Sequence, residues 1–258
     1  MRPVANHAAT QSERDAEAKN ITSFSDLPPS IQQELEQISF PLRYPGGSKL
    51  FVDGEPPRGV FILRNGRVKL YVCSGEGKTL ILRMAKSGDV LGIPGTLAGR
   101  QYEVTAETVG PCEVAFIKRD AFLRLMYAHK ELCIAVAHEV TNNYIGACQE
   151  ICWIGLSHSA AEKLANLLLE WPMVNGDTPS RMKFVFRHEE VAQMIGTSRE
   201  TVSRLFTEFK RKHIAELNGS TLLIRNRPAL QAIAAGAPLS EQNGTDGHSD
   251  SHFHPDGV

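Results

Sequence analysis

The hydrophobic period of the chain changes near residue 119, from that of strands to that of helices, and this change limits the folds that the chain can adopt. Between Arg43 and Lys118 the apolar residues fall in short runs rich in β-branched and aromatic side chains: Val60–Leu63, Arg67–Val72 and Thr79–Leu82. Turn signals such as Asn65-Gly66 separate these runs. Strands this short, with turns this regular, predict an all-β sandwich or barrel. A short helix from about Asp26 to Ile38 is predicted before it.

From Arg119 to Ser157 the apolar residues recur at alternating steps of four and three, which predicts one long helix with a heptad seam. The seam residues are Cys133, Ala137, Val140, Tyr144, Ala147, Ile151 and Ile154. Two arrangements fit this seam: a helix packed on its own β-domain, or a coiled coil between two copies of the chain. Polar residues off the seam, such as Glu139 and Asn143, suit water and favour the homodimer.

Two short helices joined at Gly196 are predicted between His188 and Phe206. Glycine has no Cβ, so it tolerates the left-handed backbone of a tight turn between helices. Thr197 or Ser198 can cap the second helix. The residues expected to face inward are Val191, Ala192 and Ile195 on the first helix and Val202, Leu205 and Phe206 on the second. This spacing is that of a helix-turn-helix.

The polar face of the second helix carries the chemistry of a DNA-recognition helix. An arginine can donate twice to guanine, and a glutamate can accept from the amino group of cytosine. Residues 181–213 hold eight basic and four acidic side chains, a balance of +4 in a chain of net charge −1, which is a local footprint for phosphates. The residues predicted to contact duplex DNA are Thr197, Ser198, Arg199, Glu200, Thr201, Ser203, Arg204 and Lys210.

A β-hairpin wing is predicted after the second helix, from Ile214 to Arg225, with Asn218-Gly219 as a type I′ turn. Pro228 stands where a further helix can begin. A winged helix-turn-helix is a more specific signature of DNA binding than a bare pair of helices.

Several classes of protein are not predicted. No apolar run approaches the ~20 residues that span a bilayer, and the N-terminus lacks the apolar core of a signal peptide, so a cytoplasmic location is expected. The five cysteines are an odd number and fit reduced thiols. No Walker loop, metalloprotease motif or nucleophile elbow is found, so neither an enzyme nor a metal site is predicted.

The motifs together resemble the CRP/FNR family of bacterial transcription regulators. Gly196–Arg204 resembles its recognition segment and Leu156–Ala165 its hinge. The segments that resemble its cyclic-nucleotide-binding β-roll are Tyr44–Gly47, Val60–Val72 and Ser87–Gly92. The resemblance implies an α+β fold with an N-terminal β-roll, a long dimerisation helix and a C-terminal winged helix-turn-helix, acting as a homodimer with RNA polymerase as a partner. The expected boundaries are a disordered tail at 1–22, the β-roll effector domain at 23–128, the dimerisation helix at 129–157, the DNA-binding domain at 158–235 and a second disordered tail at 236–258.

The departures from the family concern its effector. Members that bind cyclic AMP carry a Gly-Glu pair and, further along, an Arg followed by a small hydroxyl residue; here Gly92-Ile93 and Tyr102-Glu103 stand at those positions. A phosphate without a bidentate cation loses its strongest contact, and Glu103 would repel it, so cyclic AMP is not expected to bind. Cys148 falls where the long helix of the family meets the effector, and it completes the effector-pocket set with those four residues.

No cofactor is predicted, and a small-molecule or redox effector of unknown identity is left open. Cys148 and Cys152 lie one helical turn apart and are either small apolar residues beside the seam or a redox, metal or haem site. His129 and His138 are surface histidines or haem ligands. Residues 1–72 contain no cysteine, so the iron–sulfur cluster of some members is not expected. The alternative function is a cyclic-nucleotide-sensing module that acts through protein contacts.

The resemblance also implies a DNA target. Arg199 and Glu200 match the cyclic-AMP-dependent branch, whose half-site is TGTGA. Glu200, Ser203 and Arg204 match the oxygen-responsive branch, whose half-site is TTGAT. Both half-sites contain TGA, so we expect an inverted repeat of TGA and TCA in which Arg204 reads the core guanine and Glu200 a nearby cytosine.

Overall fold

The computed structural model describes residues 21–156, 159–170, 180–184 and 186–239. The chain forms two compact units that divide between Cys152 and Trp153. The helices are α1 (Pro29–Gln37), α2 (Ile93–Ala98), α3 (Arg119–Ala128), α4 (Lys130–Leu156), α5 (Ala160–Glu170), α6 (His188–Ile195), α7 (Arg199–Arg211) and α8 (Arg227–Ala234). The strands are β1 (Ser39–Tyr44), β2 (Lys49–Phe51), β3 (Gly59–Asn65), β4 (Arg67–Cys73), β5 (Thr79–Lys86), β6 (Val90–Leu91), β7 (Thr105–Thr108), β8 (Cys112–Lys118), β9 (Ser180–Lys183), β10 (Ala215–Asn218) and β11 (Thr221–Ile224).

Two four-stranded antiparallel sheets form the first unit, in the orders β1-β8-β3-β6 and β2-β7-β4-β5. The apolar run in β3 is buried on both faces, because successive side chains of a strand point to opposite sides. Phe61 and Leu63 pack in the core that includes residues of the second sheet. Val60 and Ile62 pack in a separate core with residues of α1, α3 and the start of α4. The strands predicted from the sequence are therefore confirmed, and the α+β fold class with them.

One edge of the first sheet is β1, whose register pairs Pro41 with Ala115 of β8. Two apolar side chains of this strand, Phe40 and Leu42, are exposed. Arg43 pairs with Glu113 of β8 at 2.9 Å. β1 therefore presents an apolar and charged edge with one residue that lacks a backbone N–H.

Ordered contacts are found slightly outside the predicted boundaries of the folded region. Ile21 was assigned to the disordered tail, yet its side chain is only 2% exposed and lies in the first core. At the other end, the Lys212 ammonium donates to the Leu239 carbonyl. Residues 1–20 and 240–258 lie outside the described residues.

Helix boundaries also differ from the predictions. A short 3-10 helix spans Phe24–Asp26, and the first α-helix begins at Pro29 rather than near Asp26, because proline suits the first helical position, where its missing N–H costs nothing. His129 has an extended backbone and separates α3 from α4, so the long helix begins at Lys130. The His129 ring lies 3.2 Å from the Glu34 carboxylate on α1.

The second unit contains α5, α6, α7 and α8 and a three-stranded antiparallel sheet in the order β10-β11-β9. The predicted hairpin is confirmed, but its turn differs. Asn218 pairs with Thr221, so the two loop residues are Gly219 and Ser220. Among these residues only Gly219 has a positive φ, which is the pattern of a type II′ turn rather than type I′. The pairing of β9 with β11 was not predicted from the sequence.

None of the helices in the described part of the chain is long and apolar enough to cross a membrane.

Candidate nucleic-acid interface

The turn between α6 and α7 has the predicted geometry. Gly196 ends α6 in the left-handed region with φ of 64°, where a side chain would be strained. Ser198 is the residue that caps α7, because its hydroxyl accepts a hydrogen bond from the Thr201 backbone N–H at 3.2 Å. The two side-chain hydroxyls of Ser198 and Thr201 lie 3.1 Å apart. These two candidate DNA contacts therefore also stabilise the start of the recognition helix.

One face of each helix is buried, as the apolar spacing predicts. The buried residues are Val191, Ala192 and Ile195 on α6 and Val202, Leu205, Phe206 and Phe209 on α7. Phe209 was not predicted, although it continues the same face of the helix at a spacing of three and four residues. With this face covered, the opposite face of α7 is fixed toward solvent.

The opposite face of α7 presents the polar residues predicted to read DNA. Arg199, Glu200, Arg204 and Lys210 are exposed, and Thr197, Thr201 and Ser203 are half-buried. A shallow depression of about 400 Å³ on this face is lined by Ser203, Arg204, Thr207, Glu208 and Arg211. Thr207 and Arg211 were not predicted, although helical spacing from Ser203 and Arg204 places them on the same face.

The charged groups of this surface are only loosely paired, and the environment of Glu200 favours its ionised form. A hydrogen bond from its own backbone N–H, then one from the Ser198 hydroxyl, lowers the pKa of Glu200. This carboxylate lies in the first turn of α7, where the helix dipole favours a negative charge. Lys210 lies 3.8 Å from Glu216 of β10, which also pairs with Arg225 at 2.9 Å. Lys210 is 61% exposed, so this surface pair leaves it available to a phosphate.

Ser203 has a partner that the sequence did not indicate. Its Oγ lies 2.8 Å from Nδ1 of His188, the first residue of α6. The His188 ring also stacks on Phe206, with a centroid distance of 5.1 Å. Burial of the imidazole, and secondarily the positive charge of Arg199, lowers the pKa of His188. The ring is therefore neutral at neutral pH.

The seam on α4 lies largely on the surface of the chain. Tyr144 and Ile151 are each 69% exposed. Cys133, Ala137 and Ala147 are exposed and Val140 is half-buried, while the side chain of Ile154 lies outside the described residues. The α4 residues Leu132, Ala135 and Val136 are instead buried against the first unit. The helix thus packs on its own domain through one face and leaves the seam uncovered.

Glu139, which was expected to face water, does not. Its carboxylate is 3.5 Å from the Arg83 guanidinium of β5, which also pairs with Asp89 at 2.7 Å. Arg83 donates to the Asn143 side chain as well. Burial raises the pKa of Glu139. These off-seam residues join α4 to its own sheet, which the heptad pattern alone could not indicate.

The predicted effector residues fall into four environments. Tyr102 is 2% exposed, stacks on Phe51 at 4.1 Å and is packed against Gly92, whose φ is 81°. Ile93 is fully buried in the core beneath the helices, and Glu103 is exposed. Cys148 is half-buried on α4, and a hydrogen bond to its side chain raises the pKa of Tyr144. The structure therefore brings Gly92 and Tyr102 together and associates Cys148 with the seam.

The Tyr102 phenol makes three hydrogen bonds inside the first unit. It donates to the Gly59 carbonyl at 2.9 Å and accepts from the backbone N–H groups of Arg58 at 3.1 Å and Gly59 at 3.3 Å. A tyrosine is commonly buried when its hydroxyl finds such partners. Tyr102 is therefore a core residue that is hydrogen-bonded to the backbone at the start of β3.

A cavity of about 480 Å³ opens elsewhere in the first unit, between α1, β3 and the loop before β6. Its lining includes Glu36, Arg64, Asp89 and Glu139. Within the described part of the chain, no group of three or more His, Cys, Asp or Glu residues is arranged to hold a metal ion.

Comparison with known families gives two matches, one in each unit of the fold. Residues 41–129 match the cyclic nucleotide-binding domain, and residues 162–233 match the Crp-like helix-turn-helix domain. The first match falls within the first unit and the second within the second unit.

Relatives and solved structures agree with these matches. The transcriptional activatory protein AadR of Rhodopseudomonas palustris is 25% identical over 224 residues, which cover 84% of this chain and 90% of that protein. The protein CRP of Pasteurella multocida, described as a cAMP-activated global transcriptional regulator, is 25% identical over 187 residues, or 70% of this chain and 88% of that one. The structure of FixK2 from Bradyrhizobium japonicum superimposes with a TM-score of 0.68 at 21% identity, covering 78% of this chain and all of that one, and it shares the fold. From the two domain matches and these relatives, the chain belongs to the CRP/FNR family of transcription regulators.

Proposed function

We propose that this chain is a homodimeric regulator that reads an inverted repeat with a TGA/TCA core and does not respond to cyclic AMP. The observation that carries the proposal is the exposed N-terminal face of α7, where Arg199, Glu200 and Arg204 stand opposite a fully packed apolar face. A recognition helix reads base edges in the major groove through its N-terminal residues.

The contacts of these residues support separate roles. Arg204 is exposed, and its guanidinium has the two parallel donors that guanine O6 and N7 accept. Glu200 is an ionised carboxylate at the helix start and suits the amino group of cytosine. Lys210 lies nearer the C-terminal end of α7, where a lysine suits a phosphate.

The uncovered seam on α4 supports the homodimer. Large apolar side chains such as Tyr144 and Ile151 are costly to leave in water, and a second copy of the same helix would cover them. Two recognition helices would then meet half-sites about one helical turn, ~34 Å, apart. Such a dimer would act in the bacterial cytoplasm, with RNA polymerase as its partner at promoters.

The environment of Tyr102 supports independence from cyclic AMP. A ring with its hydroxyl already bonded to Gly59 offers a phosphate no positive charge. The neighbouring Glu103 is exposed and negative, and it would repel the ligand.

The experiment is a selection of bound sequences from random duplex DNA, followed by binding to a panel of single-base variants of the selected site. Arg204→Ala should cost about 1–3 kcal/mol and should relax the preference at the core guanine. Lys210→Ala is the control: it should weaken all sequences alike and flatten the salt dependence. If Arg204→Ala weakens every site equally and leaves the base preference intact, Arg204 is a phosphate contact and the proposed docking is wrong.

A further inference from the structure

The contact between α6 and α7 at His188 is built from two interactions. The imidazole stacks on Phe206 with ring planes 12° from parallel, and its Nδ1 lies 2.8 Å from Ser203 Oγ. Ser203 and Phe206 are three residues apart, so Ser203 lies at the boundary between the buried face that carries Phe206 and the exposed face of α7. Packing and a hydrogen bond therefore fix the same ring.

This contact restrains the Ser203 hydroxyl, which would otherwise rotate. A serine hydroxyl has one donor and two acceptor positions and rotates to suit its partner. The bond to His188 occupies one of these positions, while Ser203 still lines the depression on the exposed face of α7. When one hydrogen-bonding position of a hydroxyl is occupied, the hydroxyl can no longer rotate freely, and fewer donor and acceptor directions remain for a base edge.

We propose that His188 is a specificity-determining positioning residue: by holding the Ser203 hydroxyl, it sets which base is accepted at the position that Ser203 reads, without contacting DNA itself. This inference rests on the proposed function. His188 was predicted only as the start of a helix, and the contact depends on how α6 crosses α7.

The test compares three substitutions on the panel of single-base operators. Ser203→Ala identifies the base pair that Ser203 reads. His188→Phe keeps a ring to stack on Phe206 but has no nitrogen, so it should lower discrimination at that base pair by about 3–10-fold, the scale of one hydrogen bond. His188→Asn should restore most of the discrimination, because its amide group, like Nδ1, is bonded to Cγ. The double variant of His188→Phe and Ser203→Ala should behave as Ser203→Ala alone.

The control is His138→Phe, the same chemical change at an exposed histidine of the first unit. It should leave the panel unchanged. If His188→Phe does not fold, His188→Gln replaces it, because its amide lies one bond too far out to take the Nδ1 position.

Three results would overturn the inference: full discrimination in His188→Phe, an equal loss at every base pair, or no base pair affected by Ser203→Ala. These results differ from a failure of the proposed function, in which the unmodified protein selects no sequence at all.

Discussion

Replacing Tyr102 by phenylalanine tests whether this residue is a structural part of the core. The substitution keeps the ring that stacks on Phe51 and removes only the hydroxyl. The Gly59 carbonyl would retain a hydrogen bond from the Thr96 hydroxyl at 2.9 Å. The backbone N–H groups of Arg58 and Gly59 would lose the phenol oxygen as an acceptor. Arg58 is exposed to solvent and Gly59 is buried, so one buried donor is left without that acceptor. Such a donor costs about 1–3 kcal/mol, and we expect the free energy of unfolding of the first unit to fall by that amount.

Amide hydrogen exchange along β3 measures this change in the first unit itself, because the slowest exchange reports its global opening. Tyr127→Phe is the matched control: Tyr127 is 91% exposed, so the same loss of a hydroxyl should change the free energy of opening by less than about 0.5 kcal/mol. Equal protection in the two variants would refute the reasoning, and Tyr102 would then be free to serve a ligand.

Three further predictions follow from the same structure. Glutamate at both Tyr144 and Ile151 should place like charges in the apolar seam and give monomers by light scattering; an unmodified protein that is already monomeric with and without DNA would contradict this. Calorimetry with cyclic AMP should give no binding isotherm, and a dissociation constant in the low micromolar range would overturn the argument from Tyr102. Burial and then Arg199 hold the pKa of His188 below 6.5, so the unfolded chain gains this proton first and the second unit should lose stability as pH falls below 6.5. His188→Asn should remove that loss in urea unfolding, and an unchanged pH profile would assign the effect to another group.

The helix-turn-helix could be predicted because short segments determine it. Gly196 supplies the left-handed turn, Ser198 caps the next helix, and the apolar spacing around Val202 identifies the buried face. Each signal acts within about two helical turns, the range over which periodicity is informative. The strands around Val60 could be predicted for the same reason, because the signals for them also lie within short segments.

Features that depend on distant residues could not be predicted. The bond between His188 and Ser203 depends on how two helices cross, and the burial of Tyr102 on the backbone of a strand far away in sequence. The predicted position of the wing turn was wrong by one residue. Asn218-Gly219 is a strong turn signal. The structure instead pairs Asn218 with Thr221, and the strand that follows buries Leu222, Leu223 and Ile224 and pairs with β9, which is distant in sequence.

The edge strand β1 has a consequence for how the protein behaves at high concentration. An exposed edge with apolar side chains, here Phe40 and Leu42, is a template onto which a strand from another chain can add. Pro41 removes one backbone donor from this strand, and the charged pair of Arg43 and Glu113 beside it would have to be desolvated by an added strand. Pro41 therefore limits association through this edge, and Pro41→Val should aggregate at protein concentrations where the unmodified chain stays dispersed.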